Sequence, residues 1–201
     1  EEISALAWDK QAGLLPAIVQ DVGTGRVLML GYMDAAAVQA TLDTGLVTFF
    51  CRSKGRAWTK GETSGDVLRL VSIEADCDAD TLLVQARPHG PTCHLGRTSC
   101  FPDAPGSFLA ELDALVQARE RERPEGSYTS KLFAAGPRRI AQKVGEEGVE
   151  TALAAVAQDD AALLGEAADL AFHLTVLLRA RGLGWDDVVA ILQSRHAAAS
   201  R

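Results

Sequence analysis

The chain has 201 residues, with 20 lysines and arginines against 27 aspartates and glutamates, a formal charge of −7 and 47% hydrophobic residues. That length holds one large domain or two small ones, each with a core, and the acidic balance argues against a general polyanion binder, because nucleic-acid affinity rests on a basic surface. No apolar run of roughly 18 residues and no secretory leader is apparent, which points to a cytoplasmic protein whose cysteines stay reduced.

In chain order, Leu14 to Gln20 and Val27 to Met33 are apolar β-type runs separated by Asp21-Val22-Gly23-Thr24-Gly25-Arg26, a turn composition that predicts a hairpin. Asp34 to Leu42 is alanine-rich and predicts a short helix ended by Gly45. Strands are expected at Val47 to Cys51, Val67 to Ala75 and Leu82 to Arg87. Past Phe101, Pro102-Asp103-Ala104-Pro105-Gly106-Ser107 has linker composition, and helical periodicity follows. Helices are expected at about Phe108 to Arg121, Pro137 to Ala157, Asp160 to Arg181 and Trp185 to Ala198. The fold class is therefore a β-rich α+β domain over residues 1–101, a linker over 102–107 and an all-α domain over 108–201.

Three cysteines stand out. Cys77 lies inside Asp76-Cys77-Asp78-Ala79-Asp80, on the turn between the last two expected strands, and Cys93 and Cys100 flank His94. Thiolates select zinc and carboxylates select magnesium, so Cys77, Cys93 and Cys100 are candidate zinc ligands and Asp76, Asp78 and Asp80 candidate magnesium ligands. Three sulfur ligands leave one position open, as in a catalytic rather than a structural zinc site. His94 adjoins a thiol, and histidine is the side chain suited to proton transfer near neutral pH, which makes it a candidate general base; the competing readings are a structural histidine and an ordinary acidic turn. Arg52, Ser53, Lys54 and Lys60 form a basic island suited to a phosphorylated ligand, and Trp58 is a stacking face or a core residue.

In the helical half, Glu146, Glu147 and Glu150 sit at spacings of three and four, and Glu166 and Asp169 repeat a spacing of three on the next helix. A turn near Asp159 makes the two helices antiparallel, which places Glu150 roughly 13 Å from it and Glu166 and Asp169 roughly 10 and 15 Å away. The acidic pairs then face each other, an arrangement suited to magnesium holding a polyphosphate. Glu147, Glu150, Glu166 and Asp169 are the candidate ligands, with Glu146 a ligand or the base that orients water. Lys131, Arg138 and Lys143 are candidate phosphate contacts, although Lys143 also sits at pairing distance from Glu147 along one helix. His173, one turn after Asp169, is a support for the ligands or a packed residue.

Two families are resembled. Trp58-Thr59-Lys60-Gly61-Glu62-Thr63-Ser64-Gly65, Asp76-Cys77-Asp78-Ala79-Asp80 and Cys93-His94-Leu95-Gly96-Arg97-Thr98-Ser99-Cys100-Phe101 resemble phosphoribosyl-AMP cyclohydrolase. Ser127-Tyr128-Thr129-Ser130-Lys131-Leu132 and Lys143-Val144-Gly145-Glu146-Glu147-Gly148-Val149-Glu150 resemble phosphoribosyl-ATP pyrophosphatase. In this order they resemble the bifunctional histidine-biosynthesis family. The resemblance implies pyrophosphate removal from phosphoribosyl-ATP by the helical domain and hydrolytic ring opening between N1 and C6 by the β domain. It also implies a homodimer in which Cys77 of one chain meets Cys93 and Cys100 of the other. One departure is Cys51, in Phe49-Phe50-Cys51-Arg52-Ser53-Lys54-Gly55-Arg56, where the family usually has serine; it reads as a small packed residue rather than a fourth sulfur ligand. The competing functions are a structural zinc module with a helical dimerisation bundle, which ordinarily needs a fourth ligand, and a zinc hydrolase of another purine nucleotide fused to a house-cleaning pyrophosphohydrolase.

Overall fold

The computed structural model describes residues 3–199 and divides at Ser107/Phe108 into two compact units. The outermost residues of the expected domains, 1, 2, 200 and 201, lie outside the described residues.

In the first unit, β1 (Leu15–Asp21) buries every second side chain, so Leu15, Ala17 and Val19 form one face of the core. It pairs antiparallel with β2 (Val27–Met33) through the expected hairpin. The helix α1 (Ala35–Thr44) is capped by Asp34, whose carboxylate accepts from the Ala37 N–H at 2.7 Å, and ends at Gly45 with φ +68°. Strand β5 (Leu68–Ala75) pairs antiparallel with β6 (Leu82–Pro88), and β6 inserts parallel beside β1, giving the order β2-β1-β6-β5. A separate hairpin joins β3 (Thr48–Cys51) to β4 (Arg56–Thr59). Strand β4 was not expected: its span reads as basic loop, and its pairing with β3 supplies the strand character. Leu28, Met33, Val47, Phe49, Leu68, Leu82 and Val84 complete a core that is closed to solvent.

The linker-like segment belongs physically to this unit. The Arg26 guanidinium donates to the Ala104 carbonyl at 2.8 Å, and the Ser107 N–H donates to the Thr24 carbonyl at 2.8 Å. Its composition suggested a free connector, but these long-range bonds hold it against the β1–β2 turn.

The second unit contains five helices among the described residues: α2 (Phe108–Glu122), α3 (Tyr128–Ala135), α4 (Pro137–Ala157), α5 (Asp160–Arg179) and α6 (Trp185–Ala199). Helix α3 escaped the sequence reading because it has only two turns between Gly126 and Gly136. Helix α4 starts on Pro137, and α5 starts on Asp159, whose carboxylate accepts from Ala162 N–H at 2.9 Å. Val116, Leu132, Phe133, Ile140 and Val176 form the core. Asp113 takes both Nε and Nη2 of Arg179 at 2.6 Å and ties α2 to α5. Contrary to the expectation that no segment is apolar enough, α5 is long and apolar enough to cross a membrane by length and composition, with a mean hydropathy of 1.5. It instead packs against α4 and α2 and carries Glu166, Asp169 and His173.

Candidate functional site

In the first unit a cleft of about 570 Å³ is lined by Trp58, Lys60, Glu62, Asp66, Thr92, Cys93, His94 and Cys100, among others. The loop after β4 forms one wall. Gly61 has φ +83°, and a Cβ there would lie 2.5 Å from the Asp66 backbone, so only glycine lets this loop close on itself. Lys60 is buried, and its ammonium donates to the Asp66 carbonyl at 3.1 Å. Opposite, Cys93 is buried and Cys100 is exposed, and the two sulfurs interact. The Leu95 backbone N–H, followed by Cys100 and Arg97, holds the Cys93 thiol below its usual range, whereas burial of the sulfur and the neighbouring Cys93 push Cys100 up. The two sulfurs stand together on the cleft, a donor set suited to a soft cation. His94 lies on the same cleft, exposed.

Cys77 lies elsewhere, exposed on the β5–β6 turn. Among the described residues, two groups of three or more candidate ligands converge within 4.8 Å, and neither contains a cysteine. The first is Asp76, Asp78 and Asp80. Asp76 Oδ1 accepts from the Asp80 and Thr81 N–H groups at 3.0 and 3.1 Å, which folds the turn. Lys10, which the sequence reading did not single out, donates to Asp78 Oδ2 at 2.6 Å and Asp80 Oδ2 at 3.3 Å.

The basic island is distributed along the β3–β4 hairpin. Arg52 stacks on the Tyr32 ring with its guanidinium carbon 4.0 Å from the centroid. Ser53 Oγ is 3.3 Å from Cys51 Sγ, and Lys54 lines a second, smaller cleft with Cys51, Arg56, Trp58, Glu62 and Thr63. The Ser53 hydroxyl, with Lys54 nearby, lowers the Cys51 thiol. Trp58 stacks on the buried Phe49 ring at 5.8 Å, as a core residue would, and also lines both clefts. Glu62 pairs with Arg56 at 2.9 Å and was also missed, although it stands inside the Trp58–Gly65 motif.

In the second unit, Glu147 and Glu150 on α4 converge with Glu166 on α5. Glu147 is 4% exposed. Lys143 reaches Glu147 Oε1 at 2.6 Å and Glu146 Oε2 at 3.0 Å, so its ammonium is spent on the glutamates of its own helix. That contact holds both carboxyls below the usual range, whereas Glu150 is pushed up, first by its hydrogen bond with Glu147, then by burial and by Glu166. Glu147 and Glu150 are thus shifted in opposite directions by their contact. Glu146 turns away towards Lys143, Gln142 and Arg139. Asp169 is exposed and outside the group; its backbone carbonyl binds His173 at 2.8 Å. Lys131 and Arg138 are exposed.

The phosphoribosyl-AMP cyclohydrolase model matches residues 29–102, and the phosphoribosyl-ATP pyrophosphohydrolase model matches residues 109–196. The chain is 72% identical over 196 residues to the histidine biosynthesis bifunctional protein HisIE of Xanthomonas axonopodis pv. citri, covering 98% of this chain and 95% of that protein. It is 56% identical over 201 residues to the protein of the same name from Shewanella oneidensis, covering 100% and 95%. It is 56% identical over 193 residues to the Escherichia coli protein, covering 95% of each. With both domain models matched in tandem and relatives of this identity aligned along nearly their whole lengths, the chain belongs to the bifunctional histidine-biosynthesis hydrolases that join a phosphoribosyl-AMP cyclohydrolase to a phosphoribosyl-ATP pyrophosphohydrolase.

Proposed function

We propose that the helical unit hydrolyses phosphoribosyl-ATP to phosphoribosyl-AMP and pyrophosphate, and that the β unit then opens the adenine ring between N1 and C6, the second and third steps of histidine biosynthesis, in the cytoplasm. The observation that carries this reading is the segregation of two donor sets of opposite softness. A thiol pair stands beside His94 in one unit, and three carboxylates converge between two helices in the other.

The thiol pair fits zinc, and zinc there supplies Lewis-acid activation of water near neutral pH. Cys93 and Cys100 provide two ligands. Cys77 stands apart from them within one chain, which supports a homodimer in which the partner subunit's Cys77 completes the set. His94 takes a proton from the attacking water and supplies one to N1; the water oxygen stays on C6 as the carboxamide oxygen and the N1–C6 bond breaks. Arg52, Ser53, Lys54 and Lys60 hold the phosphates, Trp58 offers a stacking face, and Asp76, Asp78 and Asp80 hold magnesium. In the helical unit, Glu147, Glu150 and Glu166 fit magnesium by their convergence, with Asp169 as a further ligand on α5. Glu146 orients water, Lys131 and Arg138 bind phosphate, and Lys143 holds the glutamates in place. The exposed stripe Val149, Leu153 and Val156 on α4 supports self-association of this unit as well.

The test supplies phosphoribosyl-ATP with zinc and magnesium and follows both pyrophosphate and the ring-opened imidazole carboxamide product. Cys77→Ser and Cys93→Ser homodimers are each expected to lack ring opening. Random reassembly of the two is expected to restore roughly a quarter of wild-type activity, because half the dimers then carry one intact site. No recovery after subunit exchange is verified by mass would place the cysteines' function within a single chain.

A further inference from the structure

His173 is 4% exposed on α5, and both ring nitrogens are committed. Nδ1 lies 2.8 Å from the Asp169 carbonyl, an acceptor only, so Nδ1 carries the proton. Nε2 faces the Tyr128 hydroxyl at 3.0 Å, which donates to it in the Nδ1–H tautomer. Tyr128 opens α3 directly after its cap Ser127, stacks on Phe172 at 6.1 Å and meets the His173 ring edge-on. On the other side, His173 Nδ1 is 3.6 Å from Glu147 Oε1, the same oxygen that Lys143 reaches at 2.6 Å.

We propose that Tyr128 and His173 are a positioning pair for the pyrophosphohydrolase reaction: the tyrosine hydroxyl fixes the imidazole as its Nδ1–H tautomer, and the imidazole presents that N–H edge to the α5 carbonyl and to Glu147. This rests on the reading of Glu147, Glu150 and Glu166 as the magnesium-binding carboxylates. A buried imidazole is costly unless both nitrogens are bonded, and an apolar side chain would fill the same core space without that demand. What the histidine adds is a fixed positive edge beside the one deeply buried carboxylate of the three, together with a bond from α5 to the first residue of α3. Motion of α3 is thereby coupled to the carboxylate helices. The residue three positions along α3 is Lys131, so the same bond holds the segment that carries an expected phosphate contact.

The experiment uses the full chain with Tyr128→Phe, which keeps the ring stack and deletes the hydroxyl, together with His173→Gln and His173→Leu. Three quantities are read: the tautomer of His173 by imidazole nitrogen NMR, Mn²⁺ affinity without substrate, and kcat and KM for pyrophosphate release. Wild type is expected to show a single Nδ1–H tautomer and Tyr128→Phe a mixture. Both histidine variants are expected to lose about 10-fold in Mn²⁺ affinity or kcat, the low end for a residue that supports a metal-binding carboxylate, because His173 reaches Glu147 only at 3.6 Å. The helical circular-dichroism signal and the thermal midpoint of the second unit are expected to stay near wild type, which shows that the variants fold, and ring opening of supplied phosphoribosyl-AMP in the first unit is expected to be unchanged. An unchanged tautomer in Tyr128→Phe, or wild-type kcat and Mn²⁺ affinity in folded His173→Leu, would overturn the pairing. Failure of wild type itself to bind Mn²⁺ would instead overturn the carboxylate reading, and the tautomer and kcat would then decide the pairing alone.

Discussion

Gly31 offers a quantitative test of how the β-unit core supports its cleft. It lies on β2 against the ring of Phe49, which is 2% exposed, and a Cβ at residue 31 would stand 2.6 Å from Phe49 Cε1 and 3.0 Å from Cγ. Carbon atoms rest at about 3.5–4.0 Å, so the ring must retreat by about 1 Å. Its retreat is blocked by Trp58, stacked at 5.8 Å, and Trp58 is a wall of the cleft that holds Cys93, Cys100 and His94. Overpacking of this kind costs about 1–3 kcal/mol. At about 4–8 °C per kcal/mol for a unit near 100 residues, Gly31→Ala is expected to lower the β unit's midpoint by about 4–24 °C. Residual ring-opening activity after graded heating reads that shift, with pyrophosphate release from the same samples as the internal control. Phe49→Leu alone is expected to cost about 1–2 kcal/mol through lost ring burial. In the Gly31→Ala background it also removes the overlap, so the double variant should be more stable than the sum by at least about 0.5 kcal/mol. Strict additivity, or a Gly31→Ala midpoint equal to wild type, would refute the packing argument.

The two activities are expected to separate: Glu150→Gln should abolish pyrophosphate release while sparing ring opening of supplied phosphoribosyl-AMP, and Cys93→Ser should do the reverse, as read by product analysis of both steps. Glu150 also sets a pH dependence. Its folded value is raised above that of the unfolded chain, so its contribution to stability is present at low pH and is lost as pH rises through the folded value. Mn²⁺ binding should therefore release a proton in mildly acidic buffer and tighten as pH rises, and calorimetry in buffers of different ionisation enthalpy should find that release missing in Glu150→Gln. Lys10 stands where a cation would sit among Asp78 and Asp80, so Lys10→Gln should tighten Mn²⁺ binding at that turn by no more than about fivefold, the ceiling for an exposed pair. Weaker binding in that variant would make Lys10 a support for the turn rather than a competitor.

What could be read from the sequence follows the range of the interactions involved. The alternation in Leu15–Asp21, the capped helix from Asp34 to Gly45 and the convergence of Glu147 and Glu150 with Glu166 all arise from period-two or period-3.6 repetition over a few residues, so they are written locally. The parallel pairing of β1 with β6, strand β4 and the anchoring of residues 104–107 on Arg26 and Thr24 are decided by partners distant in the chain, and no local pattern announces them. Lys10 is 68 residues from Asp78 and had no local signal at all.

The site residues divide in the same way, and the division explains what each unit requires. Helical spacing suffices to bring carboxylates together, but it cannot set their protonation. That depends on Lys143, which turns back along α4 onto Glu146 and Glu147 and holds both carboxyls low, whereas the neighbouring Glu147 pushes Glu150 up. A like-charged cluster therefore stands in one chain, because one lysine offsets part of its charge. The thiols obey a different constraint. Cys93 and Cys100 meet through a tight loop, with Gly96 N–H donating to the Cys93 carbonyl at 2.9 Å, whereas Cys77 is fixed to the far end of β5 by the strand itself. The β5–β6 ladder holds that turn apart from the loop, which is why the homodimer proposed above draws its third sulfur from another copy of the turn. The carboxylate group assembles within one chain, and on that proposal the thiol group draws on two.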